Sequence, residues 1–184
     1  MVRSRLLAAV GGIGIVVACT GAGEAPQETS GYDLGQPATE AEVKAWNIDV
    51  SPTGEGLPPG RGTVKQGAQV YAAKCAACHG PTGIEGPRDR LIGGQGTLST
   101  AQPIKTVGSF WPYATTLYDY IYRTMPFTAP QSLTPDQVYS VVAWLLYQNG
   151  IIPKDTVMDA RTVRAVRMPN RGGFVPDPRP DVSR

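Results

Sequence analysis

The sequence has little net charge, because its 184 residues carry 17 basic and 15 acidic side chains. It has no block of lysine and arginine that could neutralise a run of phosphates, so nucleic acid is not an expected partner. It also contains one histidine and three cysteines. A structural zinc site needs four ligands, and this chain has too few cysteines and histidines to build one. Glycine and proline are plentiful, at 22 and 17 residues, which favours a small core with long irregular segments.

The apolar run nearest the N-terminus is too short to span a bilayer. Arg3 and Arg5 precede this run, which covers residues 6–18, and the pattern predicts a signal peptide over 1–18. The run ends in Val-Val-Ala followed by Cys19, which resembles a bacterial lipobox. We therefore expect an exported protein whose Cys19 is acylated, held by a lipid anchor in the periplasm or on the outer face of a bacterial membrane. An ordinary signal peptide followed by an incidental cysteine is the alternative.

Composition divides the remaining chain into three parts. Residues 19–62 are rich in Gly, Pro, Ser, Thr and Glu, which predicts a tether and an irregular extension. An ordered domain is expected over 63–150. A proline-rich basic tail then covers 151–184, and its apolar residues are too sparse for an independent core.

Apolar residues at helical spacing predict the main helices of the ordered domain. In the last of them, Thr134 and Gln137 form a capping box around Pro135, which suits the first helical position. Asn149 and Gly150 would end that helix. The helices are predicted over 64–77, 112–124 and 135–149, with a further short helix over 40–48.

The segment "CAACH" places Cys75, Cys78 and His79 within one helical turn. This spacing is the signature of covalent haem attachment, in which two thiols add to the porphyrin vinyl groups and the next residue supplies an imidazole to the iron. A redox-active thiol pair is the alternative, but it would favour a βαβ context, whereas Cys75 lies near the end of a predicted helix. We therefore predict one haem c.

The second ligand of the haem iron must also be assigned to a residue. Met125 stands in the loop "TMPFTAP" between two predicted helices, where a thioether sulfur could reach the far face of the haem. Such a ligand raises the reduction potential and closes the site, as electron transfer requires. Met158 and Met168 lie in the tail and are weaker candidates. A haem enzyme with an open sixth position would need a distal acid–base group, and no second histidine exists for that role.

Over residues 63–150 the attachment motif, the Met-Pro loop and the terminal helix together resemble a class I cytochrome c. The resemblance implies an all-α fold, with about three to four main helices around one covalently bound haem and irregular extensions at both ends. It also implies that Gly67 and Tyr71 on the first helix pack against Trp144 on the last.

The same resemblance implies further pocket residues. The carbonyl of Pro87 would accept a hydrogen bond from His79, with Pro81 as the alternative acceptor. Trp111 and Tyr113, in "FWPYA", would line the haem pocket. Ordinary packing of aromatic side chains in the core is the other interpretation of these two residues.

A narrower resemblance involves the segments that flank the motif. "WNIDVSPTGEGLPPGRGTV", the stretch from "KTVGSFWPYA" to "WLLYQNGII", and "VRMPNRGGF" are similar to cytochrome subunits of bacterial sulfite dehydrogenases. They are also similar to the cytochrome half of the sulfane dehydrogenase of the sulfur-oxidising system. This implies an electron carrier without substrate chemistry, which serves a molybdenum-containing sulfite dehydrogenase catalytic subunit and passes electrons to a downstream cytochrome or oxidase. A carrier for another dehydrogenase or a terminal oxidase remains the alternative.

The tail resembles a strap found in those proteins. Arg164, Arg167 and Arg171 could face acidic groups of a partner or the haem propionates. A solvated basic edge is the other interpretation of these arginines.

Overall fold

The computed structural model describes residues 35–179, which form six helices and two short strands. The predicted signal peptide and Cys19 lie outside this part of the chain. The helices are α1 (Glu40–Trp46), α2 (Val64–Lys74), α3 (Ala76–His79), α4 (Ala114–Thr124), α5 (Pro135–Gln148) and α6 (Ala160–Ala165), and the strands are β1 (Arg61–Thr63) and β2 (Val157–Asp159). The fold is predominantly helical, as expected. The short strands β1 and β2 add to the helices, and they pair antiparallel with Gly62 opposite Met158. None of the helices within 35–179 has the length and apolar character needed to cross a bilayer.

The start of α5 follows the predicted capping box. The side chain of Thr134 accepts a hydrogen bond from the backbone N–H of Gln137, the Gln137 side chain accepts from the N–H of Thr134, and Pro135 occupies the first turn. The predicted helix over 64–77 is instead divided in two. Cys75, with φ −122° and ψ −35°, interrupts it between α2 and α3.

Helix α5 is the centre of the core. Its side chains are buried without interruption from Val138 to Leu146, which is the pattern of a helix covered on all sides. Helices α2 and α4 and both strands pack around it.

Helices α2 and α5 approach each other closely at Gly67. A Cβ atom at position 67 would overlap the carbonyl oxygen of Ser140 and would lie 2.7 Å from the Cβ of Trp144. One turn further along α2, the rings of Tyr71 and Trp144 stack with centroids 3.9 Å apart. The helix pairing implied by the resemblance is therefore confirmed, and glycine is what permits it.

The C-terminal extension contributes to this core and is not irregular throughout. Met158 on β2, Val163 on α6, and Val166 and Met168 beyond α6 are all buried in the same hydrophobic cluster as α5. Sequence patterns missed β2 and α6 because three-residue and six-residue elements are too short to show a period.

The N-terminal extension is fixed by hydrogen bonds to the helices. The backbone N–H of Val50 donates to Oδ1 of Asp119 at 2.7 Å, and the same carboxylate pairs with Arg123 at 2.5 Å. The hydroxyl of Tyr139 donates to the carbonyl of Pro58 at 2.9 Å. Residues 50–58 therefore pack on the domain although they form no regular element.

Replacement of Gly67 by alanine should destabilise the fold, because α2 and α5 must separate to admit the methyl group. We expect a loss of about 3 kcal/mol in the free energy of unfolding, as for an overpacked core, measured by denaturant titration. Gly172→Ala is the matched control, since a Cβ there meets nothing within 4 Å. Equal stability of the two variants would contradict the proposed helix contact.

Candidate functional site

The motif residues lie where α2 meets α3. Cys75 closes α2 by donating its N–H to the carbonyl of Tyr71 at 2.9 Å, and its own carbonyl accepts from the N–H groups of Cys78 and His79 at 3.1 and 3.0 Å. Both thiols are free; Cys75 is partly buried and Cys78 is exposed. The two thiols and the imidazole are thus carried by a single turn, as the spacing predicts.

The environment of Cys75 does not suit a redox-active thiol pair. Burial, with a smaller contribution from Cys78, raises the pKa of the Cys75 thiol to about 11. Catalytic thiols have lowered pKa values, because the thiolate is the nucleophile. A zinc centre has no support either: within residues 35–179 the histidine, cysteine and carboxylate side chains form no group of three that could hold a metal ion.

The imidazole of His79 is oriented by a backbone carbonyl. Its Nδ1 lies 2.8 Å from the carbonyl oxygen of Asp89. With the proton on Nδ1, this nitrogen donates to the carbonyl and Nε2 keeps a lone pair for a metal. The expected acceptor was the carbonyl of Pro87; the structure places that of Asp89 there instead. Pro87 is exposed two residues earlier in the same loop.

This loop is closely packed against the motif at Gly86. A Cβ at position 86 would overlap the carbonyl oxygen of Cys78 and the backbone nitrogen of Gly80. The N–H of Arg88 donates to the same Cys78 carbonyl at 3.0 Å. The chain thus returns beneath the motif and brings the Asp89 carbonyl to His79.

A second contact links the motif to the helix pair. The hydroxyl of Tyr71 donates to the carbonyl of Gly80 at 2.9 Å, directly after His79. Gly80 itself has φ +80°, a conformation that glycine adopts at little cost. The stack of Tyr71 on Trp144 therefore also positions the end of α3.

Met125 follows α4 directly, and its N–H donates to the carbonyl of Ile121 at 3.1 Å. Its side chain is half-buried, whereas Met158 and Met168 are buried in the core at 0% and 3% exposure. Among the methionines of residues 35–179, Met125 is therefore the one with a side chain accessible to a ligand, and the other two fill the core.

Trp111 and Tyr113 are both half-buried, in the segment before α4. The Trp111 ring meets Tyr120 edge to face at 5.6 Å, and the guanidinium of Arg171 lies 4.2 Å from the centroid of the Tyr113 ring. Trp111 belongs, with Cys75 and Met125, to the partly buried apolar side chains that pack against the core.

The donor chemistry fits haem. Two free thiols are available for attachment, an imidazole has its Nδ1 engaged so that Nε2 can bind iron, and a half-buried thioether is available as a second ligand. Sequence reasoning missed the carbonyl of Asp89 and the contact of Arg171 with Tyr113. A backbone acceptor leaves no signature in residue type, while the Gly86-Pro87 turn did indicate that the chain reverses near the motif.

Comparisons with known proteins agree with this chemistry. Residues 62–145 match the family described as "Cytochrome C oxidase, cbb3-type, subunit III". A chain in the crystal structure of the sulfane dehydrogenase SoxCD from Paracoccus pantotrophus is similar at 42% sequence identity and a TM-score of 0.74. That similarity covers 82% of this chain and 74% of the other, so it extends beyond 62–145 into the flanking segments. No match was found among curated protein sequences.

Replacement of Gly86 by alanine should reduce haem loading, because the added methyl group pushes the loop, and with it the Asp89 carbonyl, away from His79. We expect a severalfold lower ratio of haem to protein absorbance in the purified chain. Gly172→Ala should load like the unmodified chain. A Gly86→Ala variant with full loading and unchanged thermal midpoint would show that the loop does not position the histidine.

Proposed function

This chain belongs to the c-type cytochrome family of electron-transfer proteins, and from that premise we propose that it carries single electrons away from the catalytic subunit of a sulfur-oxidising dehydrogenase. The observation that carries the proposal is the 42% identity, over 82% of the chain, with a chain of a sulfane dehydrogenase. The similarity includes flanking segments that the family match over 62–145 does not.

The proposed cofactor is one haem c. Cys75 and Cys78 would hold it through two thioether bonds, and His79 and Met125 would ligate its iron. The bound haem supplies one-electron chemistry. The chain contributes orientation: the Asp89 carbonyl fixes the imidazole ring, and the Tyr71 hydroxyl fixes the backbone that follows it.

A haem iron that has no open coordination position favours electron transfer over reaction with a substrate. An open-site haem enzyme would need a distal acid–base group, and His79 is the single histidine of the sequence. The half-buried thioether of Met125 instead offers a soft second ligand, which raises the reduction potential.

The partner that we propose is a molybdenum-containing catalytic subunit that oxidises sulfite or a related sulfur compound, with a downstream cytochrome or oxidase as acceptor. The signal peptide predicted over 1–18 would export the protein, which agrees with a sulfur-oxidising system in the periplasm. Acylation of Cys19 would hold the carrier at a membrane surface. The haem domain would span 63–150, between the extension over 19–62 and the tail over 151–184.

The variant Met125→Leu should lose the long-wavelength absorption band of a sulfur–iron bond and should have a lower reduction potential, because a thioether favours ferrous iron. Visible spectroscopy and redox titration measure the two effects. Met158→Leu is the matched control, a volume-conserving change of a buried methionine that should leave both unchanged. A wild-type protein without the band would contradict the assignment of Met125.

The partner assignment is tested by reduction in solution. The oxidised protein, mixed with the purified catalytic subunit of a sulfite dehydrogenase and sulfite, should become reduced within the catalytic turnover time, as followed by haem absorbance. The catalytic subunit of a sulfane dehydrogenase with its own substrate forms a second arm and separates the two donors. If both arms leave the haem oxidised while an unrelated dehydrogenase reduces it, the sulfur-oxidising assignment is wrong.

A further inference from the structure

The chain after α6 crosses the segment that precedes α4. We call residues 168–174 the strap. The side-chain amide of Asn170 donates to the carbonyl of Phe110 at 2.7 Å. Phe174 meets the Phe110 ring edge to face at 5.2 Å, and Met168 is buried at the start of the strap. The strap is therefore attached at its start, in its middle and at its end.

Between these attachments, Arg171 lies over an aromatic ring. Its guanidinium carbon is 4.2 Å from the centroid of Tyr113, within the range of a cation–π interaction. The ion pairs within residues 35–179 are Arg123–Asp119 and Arg179–Asp177. Within that part of the chain, Arg171 forms no ion pair with a carboxylate.

The ring beneath Arg171 stands at the opposite end of α4 from Met125, a candidate iron ligand. Tyr113 is the N-cap of α4, the helix that ends at Met125. Its carbonyl also accepts from the hydroxyl of Thr116 at 2.9 Å, which fixes the first turn. Two residues earlier, Trp111 is half-buried against the core.

We propose that Arg171 is a positioning residue of the electron-transfer site: the strap holds its charge against Tyr113, where it stabilises the reduced state and raises the reduction potential. This inference rests on the proposed function. Oxidation of haem iron adds one positive charge, and a cation fixed nearby opposes that gain. Arg171 is exposed, so solvent screens part of its charge. The contact with the Tyr113 ring matters because it holds that charge at one place on the domain.

Redox titration of the haem-loaded full chain tests the role of Arg171. The variant Arg171→Gln should have a lower reduction potential than wild type. The variant Arg171→Lys keeps the charge and should recover a large part of that difference. Arg167, four residues earlier in the chain, is exposed as Arg171 is, but it is not in either cation–π contact found within residues 35–179. Arg167→Gln therefore controls for net charge and should leave the potential near that of wild type.

Three results would overturn the inference. Equal shifts of the reduction potential in Arg171→Gln and Arg167→Gln would show that the effect comes from net charge alone. A lower thermal midpoint for Arg171→Gln at unchanged potential would make the strap purely structural. A lysine variant shifted as far as the glutamine variant would show that charge is not the cause.

Mass spectrometry of the denatured wild type separates this inference from the proposed function. A wild type without covalently bound haem would contradict both. A loaded wild type whose potential is unaffected by the Arg171 variants would contradict this inference alone.

Discussion

The contact between α2 and α5 at Gly67 is the constraint on which the candidate site depends. Because no side chain separates the two backbones there, Tyr71 can stack on Trp144. The hydroxyl of the same tyrosine binds the carbonyl of Gly80, directly after His79. A single helix contact therefore determines where the cysteines and the histidine are presented.

Backbone groups, more than side chains, support the histidine. Its ring is oriented by the carbonyl of Asp89, and the loop that carries this carbonyl is pressed against the motif at Gly86. A neutral acceptor of this kind fixes the ring without adding a charge beside it. A charge does lie against one of the predicted pocket aromatics, because the guanidinium of Arg171 is 4.2 Å from the centroid of Tyr113.

The features that could be predicted from the sequence are those formed by residues close together in the chain. Cys75, Cys78 and His79 lie within one turn, and the capping box of Thr134 and Gln137 lies within another, so residue type and spacing suffice for both. The pairing of β1 with β2 joins three-residue strands from opposite ends of the domain, and neither strand is long enough to show alternation. The interruption of α2 at Cys75 and the Asp89 carbonyl are likewise set by tertiary packing, which residue types do not reveal. The flanking segments indicated sulfur oxidation only through resemblance.

The burial of Met158, Val163 and Met168 beside α5 has a consequence for how such a protein can evolve. The segment that matches the cytochrome family, 62–145, ends before these residues and would leave an apolar face of its own core uncovered. A recombination event that moved this segment alone into another gene would therefore transfer an incomplete fold. The matching segment and its C-terminal extension share one core, so a transfer that kept this core covered would have to include both.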